Sequence, residues 1–123
     1  MAKSQFRSNR KVSGKRYVAF RGKRACDLGG DPSLTHVAAK RMKVRRVKGA
    51  NIKKALLSDD VVYVAEKGKT LKLKINSVAN NPSNVNYTRR NIVTKGCIVK
   101  TDKGDVKITS RPGQSGVLQG VFV

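Results

Sequence analysis

The sequence contains no tryptophan, one histidine, two cysteines, three prolines and only seven acidic residues among 123. Each shortage excludes something. Cys26 and Cys97 lie far apart, no C-x-x-C pair exists and His36 is alone, so no metal-ligand spacing is present and the cysteines read as reduced thiols. The acids that might work as a catalytic pair, Asp59 and Asp60, are adjacent. In a strand they would point to opposite faces, so they read instead as residues blunting a turn before Val61. Gly29-Gly30 lacks the preceding strand and the G-x-G-x-x-G or G-K-[ST] context of a phosphate-binding loop. The chain therefore reads as a non-enzyme with no cofactor, no metal and no small-molecule substrate. The longest apolar run is Val61 to Ala65, far short of the roughly 20 residues a spanning helix needs, and no membrane partner is expected. The opening stretch, Met1 to Lys11, has no apolar core and runs directly into basic sequence, which predicts a mature N-terminus and a protein that stays in the cytoplasm.

What is abundant is positive charge. The formal net charge is +21, from 28 Lys and Arg against the seven acids. A compact chain carrying this much charge of one sign repels itself unless a polyanion neutralises it. The charge is uneven: residues 1–54 carry 17 Lys and Arg against Asp27 and Asp31, a net of +15, and residues 55–123 carry 11 against five acids, a net of +6. The clusters are interleaved with small and polar residues that let a backbone approach phosphates, which arginine grips with paired hydrogen bonds. The candidate nucleic-acid-binding residues are Lys3, Arg7, Arg10, Lys11, Lys15, Arg16, Arg21, Lys23 and Arg24 in the first stretch and Arg41, Lys43, Arg45, Arg46, Lys48, Lys53 and Lys54 in the second. Arg89, Arg90, Lys95 and Arg111 are candidates in the remainder, where Arg89 and Arg90 follow an Asn-rich loop. Phe6, Tyr17 and Phe20 lie among the first clusters, placed either to stack on unpaired bases or, for Tyr17 and Phe20, more favourably to pack in a core. His36 reads as a surface histidine or a nucleic-acid contact.

The apolar pattern divides the chain in the same way. From Met1 to Lys15 only Met1, Ala2, Phe6 and Val12 are apolar, too few to offset the entropy of ordering the segment. Residues 1–39 are thus expected to form a basic extension with little regular structure that threads along phosphates, and residues 40–123 a folded body. In the body, Thr70 to Asn76 alternates strictly, with Leu71, Leu73 and Ile75 on one face and Lys72 and Lys74 on the other. Val61 to Ala65 precedes it across the turn Glu66-Lys67-Gly68-Lys69, predicting a hairpin. A second hairpin is predicted from Cys97–Thr101 and Val106–Thr109 about Asp102-Lys103-Gly104-Asp105. A third joins Arg45–Lys48 to Ile52–Leu56 about Gly49-Ala50-Asn51, Val117–Val123 makes a closing strand after Pro112-Gly113, and Asn80–Asn86 is a loop. This predicts an all-β, small barrel-like body of short antiparallel strands. One segment dissents: Asp31-Pro32-Ser33 could start a helix, with Leu34, Val37, Ala38 and Met42 at helical spacing.

The stretch Tyr87-Thr88-Arg89-Arg90-Asn91-Ile92-Val93-Thr94-Lys95-Gly96, followed by Cys97-Ile98-Val99-Lys100-Thr101, resembles the archaeal and eukaryotic small-subunit ribosomal protein family eight-e, which is distinct from the bacterial protein of the same number. Thr109-Ser110-Arg111-Pro112-Gly113-Gln114-Ser115-Gly116, Arg7 to Gly14 and Arg45 to Asn51 are similar to the same family, in the same order, and the short length resembles its archaeal form. Ala50 stands where the family usually has a second glycine and Ser115 where an aspartate is common. The resemblance implies a barrel-like body with a basic N-terminal extension, bound to small-subunit ribosomal RNA beside neighbouring small-subunit ribosomal proteins and supporting translation. It also implies that Leu34 to Met42 is loop and strand. A DNA-compacting protein or general nucleic-acid chaperone is the alternative that composition alone leaves open.

Overall fold

The computed structural model describes residues 3–66 and 68–123. In chain order its strands are β1 (Lys3–Ser4), β2 (Leu28–Gly29), β3 (Thr35–His36), β4 (Arg41–Arg46), β5 (Ile52–Ser58), β6 (Val61–Glu66) and β7 (Lys69–Asn80). A short helix α1 (Val85–Arg89) follows, then β8 (Ile92–Val93), β9 (Ile98–Thr101), β10 (Gly104–Ile108), helix α2 (Pro112–Ser115) and β11 (Gln119–Phe122). Two compact units result, Met1–Pro32 and Ser33–Val123. No helix among the described residues is long and apolar enough to cross a membrane.

The second unit is built on a closed barrel in the order β10-β11-β6-β7-β9. Alternation explains it. Val62 and Val64 of β6, Leu73 and Ile75 of β7, Val99 of β9 and Val106 and Ile108 of β10 turn inward and are buried, joined by Leu56, Val93, Cys97 and Leu118. The lysines between them, Lys72, Lys74, Lys100 and Lys107, stay outside. β7 is long because it serves two partners: Lys69–Lys74 pairs with β6, and Ile75–Asn80 with β9. The register slips between Ile75 and Ser77, and an extra residue there shifts the inward phase, so the next buried residue after Ile75 is Val78 rather than Ser77. Burial pushes the Cys97 thiol up from its ordinary value, which keeps it protonated and inert.

The two hairpins β6–β7 and β9–β10 form as the sequence predicts; Lys67 of the first turn lies outside the described residues. The predicted closing strand also forms, as β11, but it closes the barrel against β6 in parallel, Gln119 opposite Tyr63 and Gly120 opposite Val64. The expectation of antiparallel strands throughout is corrected there and at β3–β5, also parallel. The expected helix after Asp31 is absent. Thr35 and His36 form β3, its Thr35 hydroxyl donating to the Leu56 carbonyl at 2.8 Å, and Met42 lies in β4. The spacing that looked helical also contains Arg41-Met42-Lys43-Val44-Arg45, a period-2 alternation, and pairing with β5 satisfies it. The predicted Asn80–Asn86 loop ends sooner, because Val85 starts α1.

The third hairpin is a two-stranded ribbon, β4–β5, longer than the sequence suggested. Its turn runs through Gly49 at φ 72° and Ala50 at φ 59°. A left-handed backbone costs an L-residue with a Cβ about 1–2 kcal/mol, so the position where the resembled family has glycine is one where glycine is favoured. Part of this is offset by glycine's greater freedom in the unfolded chain. Ala50→Gly is therefore expected to stabilise the protein by about 0.5–1 kcal/mol. Chemical denaturation checks this: the midpoint should rise with the slope unchanged, and a fall would contradict the left-handed turn.

Among its described residues the first unit has no buried apolar side chain. β1 pairs with β2, and the stretch Asn9–Tyr17 folds back through one bridge between Arg10 and Arg16. Arginines take the place of a core: the Arg7 guanidinium donates to the Val18 carbonyl at 3.2 Å and that of Arg10 to the Gly14 carbonyl at 2.8 Å. The core packing favoured for Tyr17 and Phe20 is corrected, since they are 41% and 67% exposed.

Candidate nucleic-acid interface

The candidate cations fall into four places. Lys3, Arg7, Arg10, Lys11, Lys15, Arg16, Arg21, Lys23 and Arg24 belong to the first unit. All are exposed except Arg21, which is partly buried and bound to Asp27 at 2.6 Å. That hydrogen bond holds the Asp27 carboxyl below its ordinary value and raises the Arg21 guanidinium. Asp27 is thus fully ionised at neutral pH, and Arg21 is the candidate whose charge the protein already neutralises.

The ribbon carries the second group. Opposed residues of an antiparallel pair share a face, and the register sorts them: Arg45 faces Lys53 and Lys43 faces Ala55 on one side. On the other side Val44 faces Lys54, Arg46 faces Ile52 and Met42 faces Leu56. One face therefore presents a cluster of three cations, Lys43, Arg45 and Lys53. The other alternates Arg46 and Lys54 with Met42, Val44 and Ile52, which are 43%, 55% and 63% exposed. β3 reaches β5 only at Ser58, so among the described residues the outer ribbon has no third strand, and Lys43, Arg45 and Lys53 are all exposed. Lys48 sits in the turn and Arg41 at its base. Arg111 immediately precedes α2, which packs on β5 with Gly116 against Met42 and Lys54.

Arg89 and Arg90 are the third group, and they are not on a loop: Arg89 ends α1 and Arg90 caps it. Three asparagines fix this helix. The Asn84 side chain accepts from the Asn86 N–H at 2.9 Å, an N-cap. Asn91 ends the helix with φ 49° and accepts from the Val78 N–H at 3.2 Å. Asn81, buried, donates to the Ile92 carbonyl at 3.0 Å and accepts from the Ser83 N–H and the Thr94 hydroxyl. The Arg90 carbonyl lies 3.4 Å from His36 Nδ1, which places the exposed histidine beside this pair. Lys95, in the turn after β8, stands apart as a fourth place.

Sequence reasoning named these cations but missed the positioning residues Asn81, Asn84 and Asn91. The signal was available: an Asx cap two residues before an amide, and asparagine where a left-handed residue ends a helix. It also left the outer lysines of the barrel, Lys72, Lys74, Lys100 and Lys107, out of the candidate set, although their alternation marks them as solvent-facing. Asp59, the buried acid of the β5–β6 turn, is structural: its Oδ1 accepts from the Val61 N–H at 3.2 Å and its Oδ2 lies 3.7 Å from the Lys40 ammonium. No group of three or more His, Cys, Asp and Glu able to hold a metal occurs among the described residues.

The chain is similar along nearly its whole length to a known family of proteins. The model of the family described as ribosomal protein S8e matches residues 4–123. A protein of Methanobrevibacter smithii named small ribosomal subunit protein eS8 is 46% identical over 125 residues, covering 100% of both chains. Proteins of the same name from Nanoarchaeum equitans and Methanocorpusculum labreanum are 48% and 46% identical over 121 residues, covering 97% of this chain and 95% and 97% of theirs. With a family model spanning nearly the whole sequence and relatives well above 40% identity end to end, the chain belongs to the ribosomal protein S8e family.

Proposed function

We propose that the chain is a structural constituent of an archaeal-type small ribosomal subunit, where it binds ribosomal RNA through phosphate contacts, lies beside other subunit proteins and performs no catalysis. The observation that carries this is the end-to-end match to relatives named small ribosomal subunit protein eS8, on a chain with a net charge of +21. In this reading residues 1–39 are the RNA-threading extension and 40–123 the body. Within the extension, Thr35 and His36 pair with β5 and β8, which anchors its end in the body's sheet. The phosphate-binding residues are the twenty candidate cations. The cationic face of the ribbon and the Arg89–Arg90 pair supply the body's share, and exposed side chains on paired strands and a capped helix are already positioned for it. Arg21 contributes less, because Asp27 holds it.

Sedimentation tests the reading. At moderate salt the native protein should run with small subunits. Migration as free protein or with chromosomal DNA would overturn the assignment in favour of a general nucleic-acid binder. The double variant Arg89→Glu with Arg90→Glu should leave the circular dichroism spectrum unchanged and lose most incorporation into the subunit, since each reversal replaces an attraction to phosphate by a repulsion. Unchanged incorporation at physiological salt would reduce the pair to solvated charges.

A further inference from the structure

We propose that the first unit contains a binding site for a single unpaired nucleobase, formed by Phe6, Arg7, Tyr17, Phe20 and Arg21. This rests on the RNA-binding reading above and assigns to these residues a contact that phosphate binding does not need. The geometry is an alternation of flat cations and rings. The Arg7 guanidinium carbon lies 4.3 Å from the centre of the Tyr17 ring and 5.5 Å from that of Phe20. The Arg21 guanidinium lies 5.4 Å from Phe20 and 5.0 Å from Phe6. Phe6 and Phe20 are themselves 5.9 Å apart and tilted by 55°. Both guanidinium groups are fixed from behind, Arg7 by the Val18 carbonyl and Arg21 by Asp27. The stack is therefore oriented before any ligand arrives, which lowers the entropy cost of binding.

Its outer surfaces are open. Phe6 is 54% exposed, Phe20 67% and Tyr17 41%, around a recess of about 170 Å³. Three large, largely exposed rings in a segment whose described residues bury no apolar side chain are a surface waiting to be covered. Residues 1–32 carry nine Lys and Arg against Asp27 and Asp31, so what covers them must be anionic overall and flat and weakly polar where it touches. A nucleotide has both properties, with phosphates for the surrounding lysines and arginines and a base face for the rings. A paired base has both faces occupied by its neighbours in the duplex. The base that enters must therefore be unpaired. Asn9, which also lines the recess and is exposed, offers hydrogen-bonding groups to its edge.

The test uses the full-length protein and two RNAs: a short single-stranded oligoadenylate carrying a fluorescent aminopurine, and a self-complementary RNA duplex of equal length. Phe6→Leu combined with Phe20→Leu keeps the charge and apolar character and removes the π faces. The expected result is about tenfold or greater weakening on the single strand, as loss of base–aromatic stacking gives, with the salt slope unchanged and duplex affinity unaffected. Aminopurine fluorescence, quenched by stacking in the native complex, should recover. Phe20→Trp, which keeps a larger ring, should bind as tightly as the native protein and so excludes a merely structural role. Equal loss on both RNAs, or no loss on either, would overturn the site. So would a loss of binding to vesicles containing phosphatidylserine with single-strand affinity intact, which would assign the rings to a membrane surface. Native protein that enters small subunits while the leucine variant binds both RNAs normally would remove this site alone. Native protein that fails to enter subunits would remove the reading beneath it.

Discussion

Replacing Gly120 with valine is expected to collapse the barrel. Gly120 lies in the closing strand β11, paired on one side with Ile108 of β10 and on the other with Val64 of β6. A Cβ built at this position would overlap the Val106 Cγ1 and sit 2.8 Å from the Lys107 carbonyl oxygen. The first obstacle is a side chain packed in a core with no slack, and the second is backbone held in the β10–β11 ladder. Neither can retreat cheaply, and the two extra methyls of valine deepen the overlap. Overpacking a well-filled core costs about 1–3 kcal/mol and occasionally more, and a clash with ladder backbone belongs at or above the top of that range. Small domains have only about 5–15 kcal/mol in total, so Gly120→Val should remove a large part of the stability of the free protein. Gly120→Ala should be milder, lowering the melting temperature by about 4–8 °C for each kcal/mol lost in a domain of this size. Thermal unfolding followed by circular dichroism checks both. A valine variant melting at the native temperature would mean that β11 does not close the barrel in this register.

The position of that strand illustrates what a single sequence can and cannot carry. Leu71, Leu73 and Ile75 announce a strand because period-2 alternation is local, and the turns at Gly68 and Gly104 join neighbours that are adjacent in the chain. Whether Val117–Val123 closes against β6 is a matter of pairing between segments some fifty residues apart, on which no local pattern bears, so the parallel closure was not legible. The bulge at Asn76 was hidden for a related reason: only the demand to serve both β6 and β9 makes β7 change phase. The segment Leu34 to Met42 failed differently. Its apolar residues sit at helical spacing, but the hydrogen bonds offered by β8 to Thr35 and His36 and by β5 to Met42 overrode that local pattern. Helix α1 has five residues, too short for periodicity to register, and exists because Asn84 caps its start and the left-handed Asn91, just past the Arg90 cap, ends it. For the interface, the residue types were legible and their grouping was not. Charge reads directly from composition, whereas the shared face of Lys43, Arg45 and Lys53 follows from a register known only once β4 and β5 are paired.

Deleting residues 1–24 should flatten the salt dependence of RNA binding without unfolding the body. Every buried residue of the barrel core lies between Leu56 and Leu118, so the deletion takes nothing from it. It removes nine cations: Lys3, Arg7, Arg10, Lys11, Lys15, Arg16, Arg21, Lys23 and Arg24. Each phosphate contact releases a condensed counterion and steepens the fall of log affinity with log salt by about 0.7 on single strands and about 0.9 on duplex DNA. Arg21 is already neutralised by Asp27, so eight of the nine are the effective loss. If all eight meet phosphates, the slope should become shallower by roughly five to seven; if half do, by about three. Residues 25–54 retain eight cations, chiefly those of the ribbon, so binding should persist with a residual slope. In full-length protein, between six and ten contacts correspond to a loss of about a thousandfold to a hundred-thousandfold in affinity between 50 and 200 mM salt. Fluorescence anisotropy with a labelled small-subunit RNA fragment, across a salt series, measures both slopes. Aminopurine quenching on the oligoadenylate, across the same salt series, separates base stacking, which salt barely moves, from the phosphate contacts that salt weakens. Parallel lines for the full-length and truncated proteins would show that the N-terminal cations do not touch phosphate, and binding would then have to come from the ribbon and the Arg89–Arg90 pair alone.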